Sequence, residues 1–176
     1  MSKAFTLATL ATSDLATQAD VTNAFDNITV DNNTPNFRVD LRGNQALTSG
    51  NDTQIQFGNT VFDTAGGWNA STYKYTIPET GEWFISNVVR VSGGGNNSVS
   101  AGDVNLHQDG NLLAHFGLTA NTGAPLGIYA GSSAGIYSLS QGDEIYVNAT
   151  VTATAPRVDG RADGGFTHLS GFKLAV

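Results

Sequence analysis

The feature that most constrains this chain is a Pro-Glu-Thr-Gly corner, Pro78 to Gly81, between two runs of strand-forming residues. Proline sets its own φ at about −65° and glycine accepts positive φ, so the tetrapeptide favours a β-turn over a helix connection. The flanking runs, Lys74–Ile77 and Trp83–Val91, are rich in aromatic and β-branched residues, which are enriched in strands. The corner therefore predicts two strands joined by a tight turn.

Strand and turn patterns continue from Phe37 to the end of the chain. Phe37–Leu41, Gln54–Phe57 and Glu144–Val151 alternate apolar and polar residues with a period of two, the pattern of half-buried strands. Asp109-Gly110 is the pair that two-residue primed hairpin turns prefer. About ten short strands, with turn signals about every 8–12 residues, predict an all-β sandwich or jelly roll.

Composition narrows the classes of partner. The chain has no cysteine, a net charge of −7 and only 8 Lys and Arg residues, which argues against a basic nucleic-acid-binding surface. Charged residues make up 13% of the chain, and Asn, Thr, Ser and Gly take their place. No run approaches the roughly 20 apolar residues of a membrane span, and the N-terminus lacks a signal-peptide core. We therefore expect synthesis in the cytoplasm and no membrane span.

Residues 1–36 differ from the rest, since glycine is absent until Gly43. Ser13-Asp14 could cap a short helix, but its apolar side is thin and a free helix there would be marginal. Two interpretations stay open: an extended or partly helical arm that docks on another surface, or an unstructured N-terminus. The arm's apolar docking residues would be Phe5, Leu7, Leu10, Leu15 and Phe25.

The sequence carries no recognisable catalytic motif, whether Gly-x-Ser-x-Gly, His-Glu-x-x-His or a phosphate-binding loop. Histidine is the side chain best suited to proton transfer near neutral pH. Regular alternation around an Asp109-Gly110 turn would pair Val104 with His115 and point His107 and His115 to opposite faces, where they could not share a metal. We expect a protein that is not an enzyme.

The stretch Tyr75–Phe84 resembles the aromatic…Pro-x-x-Gly-x-aromatic-aromatic signature of the globular heads of complement C1q. Four further segments resemble landmarks of that family, in the family's order: Phe57–Asp63, Val104–Gly110, Leu139–Ile145 and Leu169–Leu174. The chain departs from the pattern at Leu169, where phenylalanine is usual, and at Trp83, where tyrosine is usual. No collagen-like stalk precedes the head in this sequence.

The resemblance implies a ten-stranded antiparallel jelly roll over residues 37–176, related to tumour necrosis factor, that assembles as a homotrimer. Five residues are expected in the monomer core or the trimer contact: Tyr75, Trp83, Phe84, Leu169 and Phe172. The family's turn landmarks are Pro78, Gly81, Gly110, Gly142, Asp143 and Gly171. Some relatives hold calcium near the three-fold axis, for which Asp159 and Asp163 are the candidates here; otherwise no cofactor is expected.

A standalone head with a distinct arm suggests a bacteriophage virion protein that decorates or cements the capsid, or forms a head fibre. Its partner would be the major capsid protein or another virion protein, and its location the virion surface. One alternative is the receptor- or glycan-binding tip of a tail fibre, which would touch a host-surface glycan through the loops Gly93–Ser98, Gly117–Ser133 and Pro156–Gly165. The other is a secreted bacterial recognition head.

Overall fold

The computed structural model describes residues 34–94, 98–119 and 125–174, which contain strands, turns and loops but no helix. None of these residues therefore forms a helix that could cross a membrane. In chain order the strands are β1 (Asn36–Asp40), β2 (Gln45–Ala46), β3 (Thr53–Gln54), β4 (Asn59–Asp63), β5 (Trp68–Asn69), β6 (Lys74–Thr76), β7 (Gly81–Ser92), β8 (Ala101–Gln108), β9 (Asn111–Thr119), β10 (Ile128–Leu139), β11 (Glu144–Thr152), β12 (Arg157–Val158) and β13 (His168–Lys173).

Ten of these strands form two antiparallel five-stranded layers, in the orders β4-β1-β13-β7-β10 and β5-β6-β11-β8-β9. The remaining strands, β2, β3 and β12, are two residues long and extend the layers to seven and six strands. Neighbours that are distant in sequence, such as β1 beside β13, produce the crossed connections of a jelly roll. The predicted all-β, ten-stranded jelly-roll sandwich is confirmed.

The core lies between the two sheets and is built by period-two alternation. Along β7, Trp83, Ile85, Val89 and Val91 point inward and are fully buried, whereas the residues between them point outward and stay partly exposed, apart from Asn87, which also points inward. Matching inward residues on β8 and β11 close the layer from the other side. This burial of aliphatic and aromatic side chains supplies the main driving force for folding.

The Asp109-Gly110 hairpin forms as predicted, with positive φ at both residues, 49° and 87°. Beyond His107, which pairs with Leu112, the register shifts by one residue, and Asn105 rather than Val104 pairs with His115. The expectation that His107 and His115 point to opposite faces is therefore wrong. A β-bulge adds one residue to β9, which returns His115 to the face that carries His107.

Strand β10 is longer than the sequence pattern predicts. Gly117–Ser133 was expected to be largely a loose connection, yet Gly117–Thr119 completes β9 and β10 begins at Ile128. Twelve consecutive residues of β10 pair with β7, so tertiary pairing overrides the low strand propensity of glycine, serine and alanine. The long surface loop expected there is reduced accordingly.

The arm residues Phe5, Leu7, Leu10, Leu15 and Phe25 lie outside the described residues. The division of the chain at residue 36 stays a prediction. Within the head, β1 begins at Asn36, one residue before the expected boundary.

Gly171, on β13, is a position that only glycine fits. A Cβ there would lie 2.5 Å from Ile85 Cδ1, 2.8 Å from Phe37 Cε1 and 3.1 Å from the Phe84 carbonyl oxygen. Gly171→Ala should therefore lower the free energy of unfolding by about 1–3 kcal/mol, since overpacking a core forces neighbours out of place. Urea unfolding measures the change. Gly43→Ala is the control, because its Cβ meets nothing within 4 Å; equal losses in both variants would contradict the assignment.

Candidate assembly interface

The outward face of the seven-stranded sheet carries an apolar row that crosses three strands. Phe84 on β7 pairs with Ile136 on β10 and with Phe172 on β13. The two phenylalanine rings lie 5.2 Å apart at an angle of 30°, and Ile136 is 60% exposed. Three large apolar side chains thus meet on a surface that the other described residues leave partly exposed.

The next rows on this face are small and uncharged. Ala134, Ser86 and Ser170 follow one another across the same strands, and the two serine hydroxyls lie 3.0 Å apart. His168 stands in the row after that, opposite Val88. Burial lowers the pKa of His168, and the Arg38 guanidinium lowers it further, so the ring is neutral at pH 7. On β10, β7 and β13 these rows therefore carry no formal charge, and the nearest charges are the paired Arg38 and Asp40 on β1.

The edge formed by β10 and β9 lies beside this apolar row. β10 pairs only with β7 among the described strands, and its twelve residues include no charged residue and no proline. Exposed edges usually carry charges, proline or bulges that prevent association with other strands. Here the edge instead exposes large apolar side chains: Leu112 at 56%, Phe116 at 39%, Ile128 at 51% and Ile136 at 60%. Phe116 of β9 stacks on Tyr129 of β10, with ring centroids 5.7 Å apart, which joins the two strands into one surface.

The five predicted packing residues separate into two groups. Tyr75, Trp83 and Leu169 are fully buried in the sandwich, where Tyr75 stacks on Phe37 with centroids 3.7 Å apart. Burial raises the pKa of the Tyr75 phenol strongly, so its hydroxyl stays protonated. Phe84 and Phe172 lie on the outward face instead. Strand parity decides this, since Trp83 and Phe84 are consecutive residues and must point to opposite sides.

The turn landmarks hold one end of the sandwich together. Asp143 Oδ2 accepts a hydrogen bond from the Ser140 N–H at 2.8 Å and another from the Gln108 side chain. Gly142, with φ of 97°, provides the left-handed conformation that this turn needs. Pro78 lies in the corner and Gly81 opens β7. The proline and glycines act through backbone geometry, and Asp143 acts through its carboxylate.

The outward face of the six-stranded sheet is polar by comparison. Tyr146 stacks on His107 with centroids 5.1 Å apart, and Lys74 lies above Tyr146 while its Nζ contacts Glu144 Oε2 at 2.6 Å. That carboxylate raises the pKa of Lys74. His115 is within 3.0 Å of Asp103. Although both histidines share this face, no group of three or more His, Asp or Glu residues in the described part of the chain is placed to hold a metal.

The carboxylates of both calcium candidates, Asp159 and Asp163, form ion pairs with arginines. Asp159, which is 5% exposed, accepts hydrogen bonds at Oδ1 from Ser92 Oγ and Arg157 Nε, each at 2.8 Å. Its Oδ2 lies 3.3 Å from Arg90 Nε. Asp163 pairs with Arg161 at 3.0 Å. These contacts use the oxygens that calcium would need, so the arrangement favours a structural ion-pair cluster over a cation site.

Removing the Asp159 carboxylate should expose its structural role. Asp159→Ala leaves the partly buried Arg90 and the exposed Arg157 without a carboxylate partner and should lower the free energy of unfolding by about 1–3 kcal/mol. Asp163→Ala, an exposed pair, should cost about 0–1 kcal/mol. Thermal melts with calcium and with chelator should coincide. A melting temperature that calcium raises in the wild type but not in Asp159→Ala would contradict the cluster assignment.

Comparison with solved structures shows which known proteins share this fold. No protein-family model matches the sequence, and no curated protein matches it. Among solved structures, the Eiger tumour necrosis factor of S. frugiperda superposes with a TM-score of 0.63 and 14% identity, over 80% of this chain and 92% of that one. The globular domain of the zebrafish complement 1qA protein gives a TM-score of 0.57 and 14% identity, over 81% of this chain and 98% of that one. The chain has the jelly-roll fold of tumour necrosis factor and C1q heads, as the sequence resemblance implied.

Proposed function

We propose that the chain forms a non-enzymatic homotrimer that serves as a structural protein on the surface of a bacteriophage virion. In this role it decorates or cements the capsid, or forms a head fibre, through its N-terminal arm. The observation that carries the proposal is the exposed edge of β9 and β10, on which β10 has no charged residue, beside the apolar row of Ile136, Phe84 and Phe172. A surface of this kind needs a partner in solution, and a second copy offers a complementary one.

Three copies could close a ring through this surface. In that arrangement the β9–β10 edge of one copy lies against the Phe84 and Phe172 part of the face of the next, so their contact is heterologous and repeats until the ring closes. A two-fold dimer would have to pair each patch with itself. The resemblance to trimeric heads favours a ring of three, in which every edge lies against a neighbouring face.

The partner of the trimer would be the major capsid protein or another virion protein. The low charge and the abundance of Asn, Thr, Ser and Gly in the sequence support a virion surface by analogy. The apolar residues before Thr34 would insert into the partner. The head would then supply the trimeric body that the arms attach to the particle.

Electron microscopy of particles from the source tests the location. Trimers placed regularly on the capsid lattice would support decoration, whereas protein found only at tails or fibre ends would favour the glycan-binding tip. Attachment can be tested in the full chain by replacing Phe5, Leu7, Leu10, Leu15 and Phe25 together with serine. The variant should remain trimeric but fail to sediment with particles that lack the native protein. Undiminished attachment would exclude the docking arm.

A further inference from the structure

An open cleft of about 610 Å³ lies at one end of the sandwich, between segments 41–46 and 56–59. Polar and apolar surface share its walls about equally: the polar side chains Arg42, Asn44, Gln45, Gln56 and Asn59 line it together with Leu41, Ala46 and two glycines. Clefts of roughly 300–1,000 Å³ hold small ligands. The residues of this cleft lie outside the apolar face described above, and the inference drawn from them does not rest on the proposed trimer.

Arg42 differs from the other basic side chains in residues 34–94, 98–119 and 125–174. Each of the others has a carboxylate within 3.3 Å, in the pairs Arg38–Asp40, Lys74–Glu144, Arg90–Asp159, Arg157–Asp159, Arg161–Asp163 and Lys173–Glu79. Arg42 has no such partner among the described residues, although the chain carries 15 acidic residues and a net charge of −7. Its positive charge is therefore left uncompensated in an acidic protein.

A neutral amide holds Arg42 in place. With the Asn59 carboxamide oriented by this contact, its Oδ1 accepts hydrogen bonds from Arg42 Nη2 at 3.1 Å and Nε at 3.2 Å. An amide fixes the direction of the guanidinium without neutralising it, which a carboxylate would do. The remaining N–H groups of the guanidinium stay available to a ligand in the cleft.

The walls beside Arg42 are fixed as well. Gln45 Oε1 accepts a hydrogen bond from the Gln56 N–H at 2.8 Å, and Gln45 Nε2 donates to the Gln54 carbonyl oxygen at 2.8 Å. Asn44 Oδ1 accepts from the Gly160 N–H at 3.1 Å, which leaves its amide nitrogen as a donor. Ordered walls reduce the entropy lost when a ligand binds.

We propose that this cleft binds a saccharide that bears a carboxylate, such as a uronic acid. A guanidinium binds a carboxylate through two parallel hydrogen bonds, and the surrounding carboxamides can both donate to and accept from sugar hydroxyls. A phosphate shares the anionic chemistry but offers mainly acceptor oxygens, so it would use the carboxamide N–H groups and not the carbonyl oxygens beside them.

Titration of the full-length protein with glucuronate, glucose and inorganic phosphate tests the proposal. The readouts are isothermal calorimetry and the NMR shift of Arg42 Nε–H. Glucuronate should bind about tenfold or more tightly than glucose or phosphate, because one charge-assisted bidentate contact is worth that factor. Equal affinity for glucose would overturn the role of Arg42. Tighter binding of phosphate than glucuronate would reduce the cleft to a simple anion site and overturn the saccharide assignment.

Two substitutions and a control test whether glucuronate binds at Arg42. Arg42→Gln should reduce glucuronate affinity about tenfold or more, and Asn59→Asp should do the same by supplying the carboxylate that Arg42 lacks. Arg161→Gln makes the same charge change at an arginine that already has a partner, Asp163, and should bind glucuronate like the wild type. If the control loses as much affinity as Arg42→Gln, or if Arg42→Gln loses none, the proposal fails. Circular dichroism confirms that each variant is folded.

Discussion

Ile136→Glu should be monomeric at micromolar concentrations at which the wild-type protein sediments as three copies of its 18.3 kDa chain. In a single copy Ile136 is 60% exposed, so the substitution should change the stability of the isolated head by no more than about 0.5 kcal/mol. At the proposed interface the same glutamate would be buried without a partner, next to Phe84. An uncompensated buried charge costs about 3–5 kcal/mol, which corresponds to more than about a hundredfold weaker association.

Sedimentation velocity over a range of concentrations measures the effect. Thr152→Glu is the matched control, because it makes the same charge change at an exposed strand position of the six-stranded sheet. It should leave the trimer intact. A wild-type protein that sediments as a monomer would overturn the assembly itself. An Ile136→Glu protein that remains trimeric would show that the copies meet through another surface.

Local patterns in the sequence predicted the parts of this fold that depend on neighbouring residues. The Pro78–Gly81 corner and the Asp109-Gly110 hairpin each follow from turn preferences within a few residues. Alternation identified inward residues such as Val147 and Val151 on β11. Features of this kind need no knowledge of the rest of the chain. The structure forms the hairpin and the inward alternation, whereas at Pro78–Gly81 the chain makes a bend, not a hydrogen-bonded turn, as it passes from one sheet to the other.

Features that depend on distant pairing were not predictable. The bulge opposite His107 reverses the side of β9 on which His115 stands, and no local signal marks it. β10 is rich in glycine, alanine and serine, and it becomes a twelve-residue strand only because β7 lies beside it. The exposed β10 edge, on which the proposed assembly rests, could not be predicted for the same reason.

The Arg42 cleft also depends on distant pairing and could not be predicted from the sequence. Arg42 and Asn59 are seventeen positions apart in sequence and meet because β1 pairs with β4. From sequence alone, Arg42 could not be distinguished from the other arginines. Its distinguishing property is the lack of a carboxylate neighbour within the described residues, which only the folded arrangement reveals.

Trp83→Ala should be among the most destabilising single substitutions in the head. Trp83 is fully buried, its ring contacts Tyr75 with centroids 6.2 Å apart, and its Nε1–H donates to the Glu79 carbonyl oxygen at 3.2 Å. Truncating a buried tryptophan costs about 3–5 kcal/mol, because the transfer free energy is lost and a cavity remains. At about 2–4 °C per kcal/mol for a chain of this size, the melting temperature should fall by about 6–20 °C.

Chemical unfolding can follow this loss through Trp68, the second tryptophan, which lies edge-on to Phe57 with centroids 6.2 Å apart. Trp83→Phe should recover more than half of the lost stability, since a phenyl ring refills most of the cavity but cannot donate to Glu79. Phe84→Ala is the informative comparison, because the two residues are consecutive but point to opposite faces. Phe84→Ala should weaken association more than it weakens the fold of the isolated head, and Trp83→Ala should do the reverse. Equal effects of the two substitutions on both properties would mean that β7 does not separate a core face from an assembly face, and the proposed interface would lose its structural basis.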